Sequence, residues 1–327
     1  MRRVLWSAAQ IYGAVSWLRN RLYDRGCLSI EKAPVPVVSV GNLTLGGTGK
    51  TPCVEFIARY FSDAGRRVGI LSRGYAASVG PNDEAMVLEQ NLPDVPHLQG
   101  PNRAELARLA TEELESEVLL LDDGFQHRRL ARDLDLVLVD ATQPWGFAQL
   151  FPRGLLREGV TGLRRANAVI VTRCDLVSAA DVDAICRRVQ QLVPNMLVAE
   201  TCFEPVALIG DSDSVMPVEH IKNGPIAAFC GIGNAEAFFQ TLRRLGADLR
   251  ATRSYPDHFR YARTDVEELE KWAQDQPSDG IILTTQKDLV KLRLPRLANR
   301  PLWALRIGLA FRKGEEEFRK LLDRVLQ

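Results

Sequence analysis

Apolar residues along this chain gather into short continuous runs separated by stretches in which they recur every three or four positions. The runs are Val37 to Val40, RVGILS (67–72), EVLLLDD (117–123), LDLVLVD (134–140), AVIVT (168–172), Leu197 to Thr201, IAAFC (226–230), GIILT (280–284) and LWALRI (302–307). Unbroken runs rich in Val, Ile and Leu suit strands covered on both faces. The intervening periodicity predicts helices from Val54 to Phe61, from Gly100 to Leu114, from Phe238 to Leu245 and from Glu315 to Leu326. Alternating strands and helices with short connections imply an α/β fold with a doubly wound, mostly parallel sheet, whose ligands lie beyond the C-terminal strand ends. Pro81-Asn82-Asp83-Glu84 precedes a short apolar run, Ala85 to Leu88, so its two acids are expected in or beside a loop. From Phe203 to Pro217 the chain turns polar and reads as a linker. The expected organisation is therefore an N-terminal helix within 1–30, a first domain over 31–203 and a second, smaller α/β domain over 204–327.

The first stretch has its own pattern. Val4, Ala8, Ile11, Val15, Leu18 and Leu22 fall on one helical face, while Trp6 and Trp17 lie towards another, near Gln10 and Arg21. Ser7, Gln10 and Ser16 interrupt the apolar segment, which lacks a small-residue cleavage site and is short for a span of about 20 apolar residues. It predicts an amphipathic helix, either packed on its own domain or lying at a bilayer surface with tryptophans and arginines at headgroup level.

Composition narrows the function. A chain of 327 residues accommodates two domains. Its 42 Lys plus Arg against 41 Asp plus Glu give no global positive field, so no nucleic-acid partner is expected and any attraction to membrane is local. Six cysteines without a C-x-x-C pair suit a reduced compartment and neither a zinc site nor a disulfide framework.

The chemistry begins after the first strand. Gly41, Gly46, Gly47 and Gly49 release the backbone before Lys50, Thr51 and a helix. This is the order of a phosphate-binding loop, Thr44 through Thr51, in which backbone N–H groups and a helix N-terminus face phosphate. Lys50 can reach the β- and γ-phosphates and the Thr51 hydroxyl can ligate Mg²⁺. The loop is a variant, because the strict pattern has glycine where this chain has Thr44. Asp122 and Asp123 close a buried strand like a Walker B element, where an acid orients Mg²⁺. Arg73 and Tyr75 follow a strand end, and Arg103 stands at a helix N-terminus where an anion can bind. The segment from Leu150 to Glu158, with Arg157 and Glu158, mixes arginine with bulky apolar residues and suits either an amphipathic substrate or a loop capping the sheet edge. His258 sits among aromatics after Pro256, where its pKa can suit proton transfer. Thr172-Arg173-Cys174-Asp175 is similar to the base-reading [NT]-K-x-D of GTP-binding proteins, and supports an alternative reading as a P-loop GTPase or ATPase that hydrolyses nucleotide to drive a partner.

Taken together, Gly41-Asn42-Leu43-Thr44 with Gly46 to Pro52, Ser72-Arg73-Gly74-Tyr75, Asp83-Glu84, Leu121 to His127, Pro152-Arg153-Gly154 with Leu156-Arg157-Glu158, and Pro256-Asp257-His258 closely resemble the tetraacyldisaccharide 4'-kinases of Gram-negative bacteria. The resemblance implies transfer of the γ-phosphoryl group of ATP to the 4'-hydroxyl of an acylated glucosamine disaccharide 1-phosphate, forming lipid IVA at the cytoplasmic face of the inner membrane. It also implies that the chain meets the membrane surface peripherally and needs no obligate protein partner. Residue by residue, Lys50 would hold phosphate, Thr51, Gln126 and Asp122 or Asp123 would serve Mg²⁺, and Asp83 with His258 would form an acid/base pair brought together from two domains on closure. The chain departs from the family at Ala85, often proline there, and at Gln286, often glutamate. The first leaves a turn less fixed and the second removes a charge.

Overall fold

The computed structural model describes residues 2–74, 83–210 and 214–327. In chain order these contain α1 (Arg2–Asp24), β1 (Val37–Asn42), α2 (Lys50–Asp63), β2 (Val68–Ser72), α3 (Asp83–Asn91), β3 (His97–Gln99), α4 (Arg103–Glu112), β4 (Val118–Asp122), β5 (Leu134–Asp140), β6 (Ala168–Thr172), α5 (Ala179–Leu192) and β7 (Leu197–Ile209). There follow β8 (Val215–Met216), β9 (Pro225–Cys230), α6 (Ala235–Arg244), β10 (Asp248–Ser254), α7 (Arg263–Gln274), β11 (Ile281–Thr285), α8 (Gln286–Leu292), β12 (Arg296–Leu297), β13 (Arg300–Lys313) and α9 (Glu315–Asp323). The chain divides into two compact units. Unit 1 comprises 1–75, 92–203 and 309–327, and unit 2 comprises 76–91 and 204–308.

In unit 1 the strands lie in the order β7-β6-β5-β1-β4-β2-β3, and the paired strands run parallel. β1 sits between β5 and β4, with Val40 beside Leu136 on one side and Asp122 on the other. The chain leaves β1 through α2 towards one side and fills the other side later, so the winding reverses at β1 and opens a crevice beyond its C-terminal end. Every residue of β1, β2, β4 and β6 is buried, which is why each reads as an unbroken apolar run. One core gathers Leu43, Phe125, Val137, Val169 and Ile185, and another Leu71, Ala107, Leu119 and Leu121. Helix α2 is held from behind by α9 and the end of β13, where Phe56, Phe311 and Phe318 form an aromatic trio and the Tyr60 hydroxyl donates to Asp323 at 2.6 Å.

Unit 2 has its own parallel sheet in the order β10-β9-β11-β13, with β12 added antiparallel to β13 and β8 antiparallel to β7. Phe229, Ile282, Leu302 and Leu269 fill one side, and Phe238, Leu242, Ile226 and Leu283 the other.

Three expectations change here. The polar stretch from Phe203 is not a linker at first, because β7 continues through Glu204 and Pro205 to Ile209. The acids at 83 and 84, expected in or beside a loop, stand in the first turn of α3, where negative charge suits the helix dipole. That helix belongs to unit 2, so the second unit includes a piece of chain from the middle of the first. β3 and β10 carried no apolar run, since neither has a residue that is fully buried.

Candidate active site

The loop between β1 and α2 has the backbone its glycines allow. Gly46 and Gly49 take left-handed φ values of 110° and 87°, which only glycine adopts freely. Gly49 caps α2 without any side-chain hydrogen bond, so the first N–H groups of the helix remain available to an anion. Gly46 and Gly47 have open space where a side chain would stand, while a Cβ at Gly49 would lie 2.0 Å from Phe203 Cζ. The loop is braced from outside. Asn42 Nδ2 donates to Thr44 O at 2.7 Å, Leu45 N–H to Leu155 O at 2.7 Å, Thr172 Oγ1 to Thr48 O at 2.9 Å, and Arg173 to Gly47 O at 2.8 Å. Thr48 Oγ1 is buried in the loop without a partner among the described residues.

Charge converges on the same place. Lys50 Nζ lies 3.4 Å from Asn42 Oδ1 and 3.6 Å from Asp123 Oδ1. Arg157 grips Asp123 with two bonds of 2.6 and 2.8 Å, the bidentate geometry that makes such pairs strong. Burial raises the Asp123 carboxyl, but Arg157 and Lys50 outweigh it and hold the group below its ordinary range. Asp123 itself has φ 54°, turning the chain sharply at the strand end, while Asp122 is the buried last residue of β4. Gln126 donates to Asn42 O at 2.9 Å and Glu158 Oε1 at 3.0 Å, and its own Oε1 is buried without a partner among the described residues.

A second cluster lies wholly in unit 2. His258 Nδ1 is 3.1 Å from Asp83 Oδ2, although 175 residues separate them, and Lys291 Nζ is 3.1 Å from the same oxygen. His258 has φ 55° and its backbone N–H bonds Asp257 Oδ1 at 3.0 Å, which sets the turn. The expectation that Asp83 and His258 belong to different domains and meet on closure is thereby corrected: the pair is assembled within one unit. The physical reason is the docking of α3 on α8, through Asp83–Lys291, Glu84–Lys287 at 3.0 Å, and Gln286 Nε2 donating to Asn91 Oδ1 at 2.5 Å.

Comparison with known proteins gives the family of the chain. Residues 1–327 match the family described as Tetraacyldisaccharide-1-P 4'-kinase (LpxK). The chain belongs to this family. Tetraacyldisaccharide 4'-kinases of Anaeromyxobacter sp. (strain K) and Syntrophus aciditrophicus (strain SB) are each 38% identical to it, covering 96% and 84% of this chain and 88% and 80% of the relatives. The crystal structure of the "apo" form of LpxK from Aquifex aeolicus in complex with ATP superposes with a TM-score of 0.80 at 31% identity, over 100% of this chain and 99% of that one. The activity is accordingly that of a lipid A 4'-kinase, phosphorylation of a tetraacyldisaccharide 1-phosphate at its 4' position.

Membership in the 4'-kinase family disfavours the hydrolase alternative, and the geometry shows what its supporting motif does instead. Arg173 pairs with Asp140, donates to the loop at Gly47 and lies over the Phe203 ring, while Cys174 Sγ donates to Val171 O. The Thr172 to Asp175 segment braces the phosphate loop. Glu158 is buried, and its oxygens accept from Arg165 on both, from Gln126 and from Asn20 of α1. Arg103 is buried at the start of α4, donates to Pro101 O at 3.2 Å, and stands close to His127. Burial, then Arg103 and other arginines, push His127 down to about 4, so it is neutral near pH 7. Arg73 is exposed beyond β2, and Tyr75 lies outside the described residues. The sequence pointed to neither Asn42 as a brace for Lys50 nor Lys291 as a partner of Asp83. Both are ordinary polar residues until the fold places them.

Proposed function

We propose the following assignment of roles in the transfer. The N-terminal amides of α2, the loop from Thr44 to Thr51 and Lys50 bind the phosphates of ATP. Thr51 and Asp122 would hold Mg²⁺ with Asp123 beside them, and Gln126, whose Oε1 has no partner among the described residues, would support them. A hydroxyl and carboxylates are the hard oxygen donors such an ion prefers, so these residues fit it. When bound, the metal supplies neutralisation of charge on the β- and γ-phosphates. Arg157 keeps Asp123 ionised and oriented, while Glu158 locks Gln126, Arg165 and α1 into one arrangement. Arg73, Tyr75 and Arg103 serve the anionic, hydroxylated headgroup of the acceptor.

The Asp83–His258 contact carries this reading. A sugar hydroxyl attacking phosphorus must lose its proton as the new O–P bond forms and the bond to the departing ADP breaks. Asp83 takes that proton and His258 stabilises the carboxyl that receives it. The test is phosphorylation of an acylated disaccharide 1-phosphate in detergent with γ-labelled ATP: label in lipid supports the assignment, and label released only as free phosphate would sink it.

The same proposal places the enzyme peripherally on the cytoplasmic surface of the inner membrane. Among the described residues no helix is long and apolar enough to cross a membrane. Helix α1 docks on unit 1 through Ala9, through Gly13 against Leu150, and through Tyr12 edge-on to Phe151. Val4, Ile11, Val15, Leu18, Trp6 and Trp17 stay exposed, as do Phe147 and Phe151. A surface of that composition suits the headgroup and acyl boundary.

A further inference from the structure

Asp83 has a partner that the transfer chemistry above does not use. Lys291 on α8 has a side chain only 10% exposed. Its ammonium lies 3.1 Å from Asp83 Oδ2, 3.5 Å from Asp288 Oδ1 and 3.3 Å from the carbonyl of Phe259, the residue after His258. The ammonium thus faces two carboxylates and a carbonyl, from α3, from α8 and from the turn that bears His258.

Asp288 anchors this arrangement. It is fully buried, yet accepts from Gly231 N–H at 2.9 Å, Thr285 Oγ1 at 2.6 Å and Tyr261 OH at 3.1 Å. Burial, then the Asp288 charge, push Tyr261 up, so it remains a donor. Phe259 in turn stacks on Tyr255 and meets Tyr261 edge-on, which fixes the carbonyl that Lys291 bonds. Lys291 therefore joins a rigid buried carboxylate to both halves of the pair. His258 and Lys291 take the same oxygen of Asp83, and among the described residues no hydrogen bond occupies the other.

Resting on the assignment of Asp83 as proton acceptor, we propose that Lys291, backed by Asp288, is a positioning residue for the phosphoryl transfer: it pins Asp83 Oδ2 and the turn bearing His258, and leaves Asp83 Oδ1 for the acceptor hydroxyl.

Electrostatics gives the role a signature. Among the described residues, the charged and titratable groups facing Asp83 are His258 with Asp257 from the turn, and Lys291, Asp288 and the Lys287–Glu84 pair from α8 and α3. Burial raises the Asp83 carboxyl, while Lys291 and then His258 outweigh it and hold it below the ordinary range. Catalysis requires the ionised carboxylate, so removing the ammonium raises its pKa and moves the acid limb of the rate profile to higher pH.

The experiment measures kcat/KM against pH on the full chain with ATP and acylated disaccharide 1-phosphate, for the wild type, Lys291→Met, Lys291→Gln and Lys291→Arg, with Asp83→Asn beside them. The neutral variants are expected to shift the acid limb upward by about one pH unit or more and to lower kcat on the order of 10–100-fold with KM for ATP unchanged. Lys291→Gln, which keeps polar contact with Asp288, covers the case in which Lys291→Met does not fold. Lys291→Arg keeps the charge, so its limb stays in place while kcat falls, because a planar fork cannot reproduce three radiating donors. An unmoved limb in the neutral variants, or an equal shift in Lys291→Arg, overturns the proposal. An active Asp83→Asn enzyme instead overturns the assignment of Asp83, and the two failures are distinguishable.

Discussion

The two clusters are built in opposite ways. The phosphate loop is one continuous segment, Gly41 to Thr51, whose turns follow from its own glycines and from the helix that starts at Lys50, with Leu155, Thr172 and Arg173 bracing it from outside. The acid/base pair is made from residues 83 and 258, held by residue 291, and has no shape until α3, α8 and the aromatic turn dock. A site of the first kind is damaged by changes within it. A site of the second kind is damaged equally by changes in the residues that hold its parts together.

The largest effect is expected at the loop. Lys50→Met and Thr51→Ala should each lower transfer of labelled phosphate to lipid by at least about 10²–10³-fold, the scale seen when one preorganised electrostatic partner is lost. Near-normal labelling by either variant would remove the loop from the mechanism.

At the pair the expected loss in kcat is about 10²–10⁴-fold, and its form matters more than its size. Because Asp83 and His258 already touch, Asp83→Ala, His258→Ala and the double variant should lose comparable amounts while binding ATP equally well by calorimetry. Losses that simply multiply would show two independent roles and break the contrast with the loop.

A smaller effect, on stability rather than rate, belongs to Gly49. Alanine there meets a left-handed φ and the Phe203 ring together, and should cost about 1–3 kcal/mol in urea unfolding. Adding Phe203→Leu should recover part of that loss by removing the clash but not the backbone strain. Full recovery would assign the whole cost to the ring.

The smallest effect is on acid stability. The folded Asp83 carboxyl lies below its ordinary value of about 4, so its stabilisation is fully present above that range and disappears as pH falls through the lowered value. Asp83→Asn should flatten the acid side of the urea midpoint against pH and leave its slope above about pH 6 unchanged. A steeper acid side in the variant would contradict the direction of the shift.

The same contrast explains what could be read from sequence. Strands buried on both faces, and a loop contiguous with its strand and helix, announce themselves in order along the chain. β7 and β13 looked half their length because their buried residues give way to exposed and half-buried positions from Phe203 and from Arg306, and Pro205 argued for a break. Helix α3 looked like loop because a nine-residue helix beginning with two acids offers little periodicity. Lys291 in Gln286-Lys287-Asp288-Leu289-Val290-Lys291 is a common helical pattern, and only the docking of residues some 200 positions apart makes it part of a site.

The amide clasp between Gln286, Asn91 and Gln90 has a consequence of its own. It involves no charge, so neither added electrolyte nor a change in acidity weakens it, whereas the Glu84–Lys287 link at the other end of α3 is exposed enough to be screened. Helix α3 is therefore tethered by contacts of different salt sensitivity: electrolyte weakens the Glu84–Lys287 link, while the amide clasp at the far end and the largely buried Asp83–Lys291 pair hold their places.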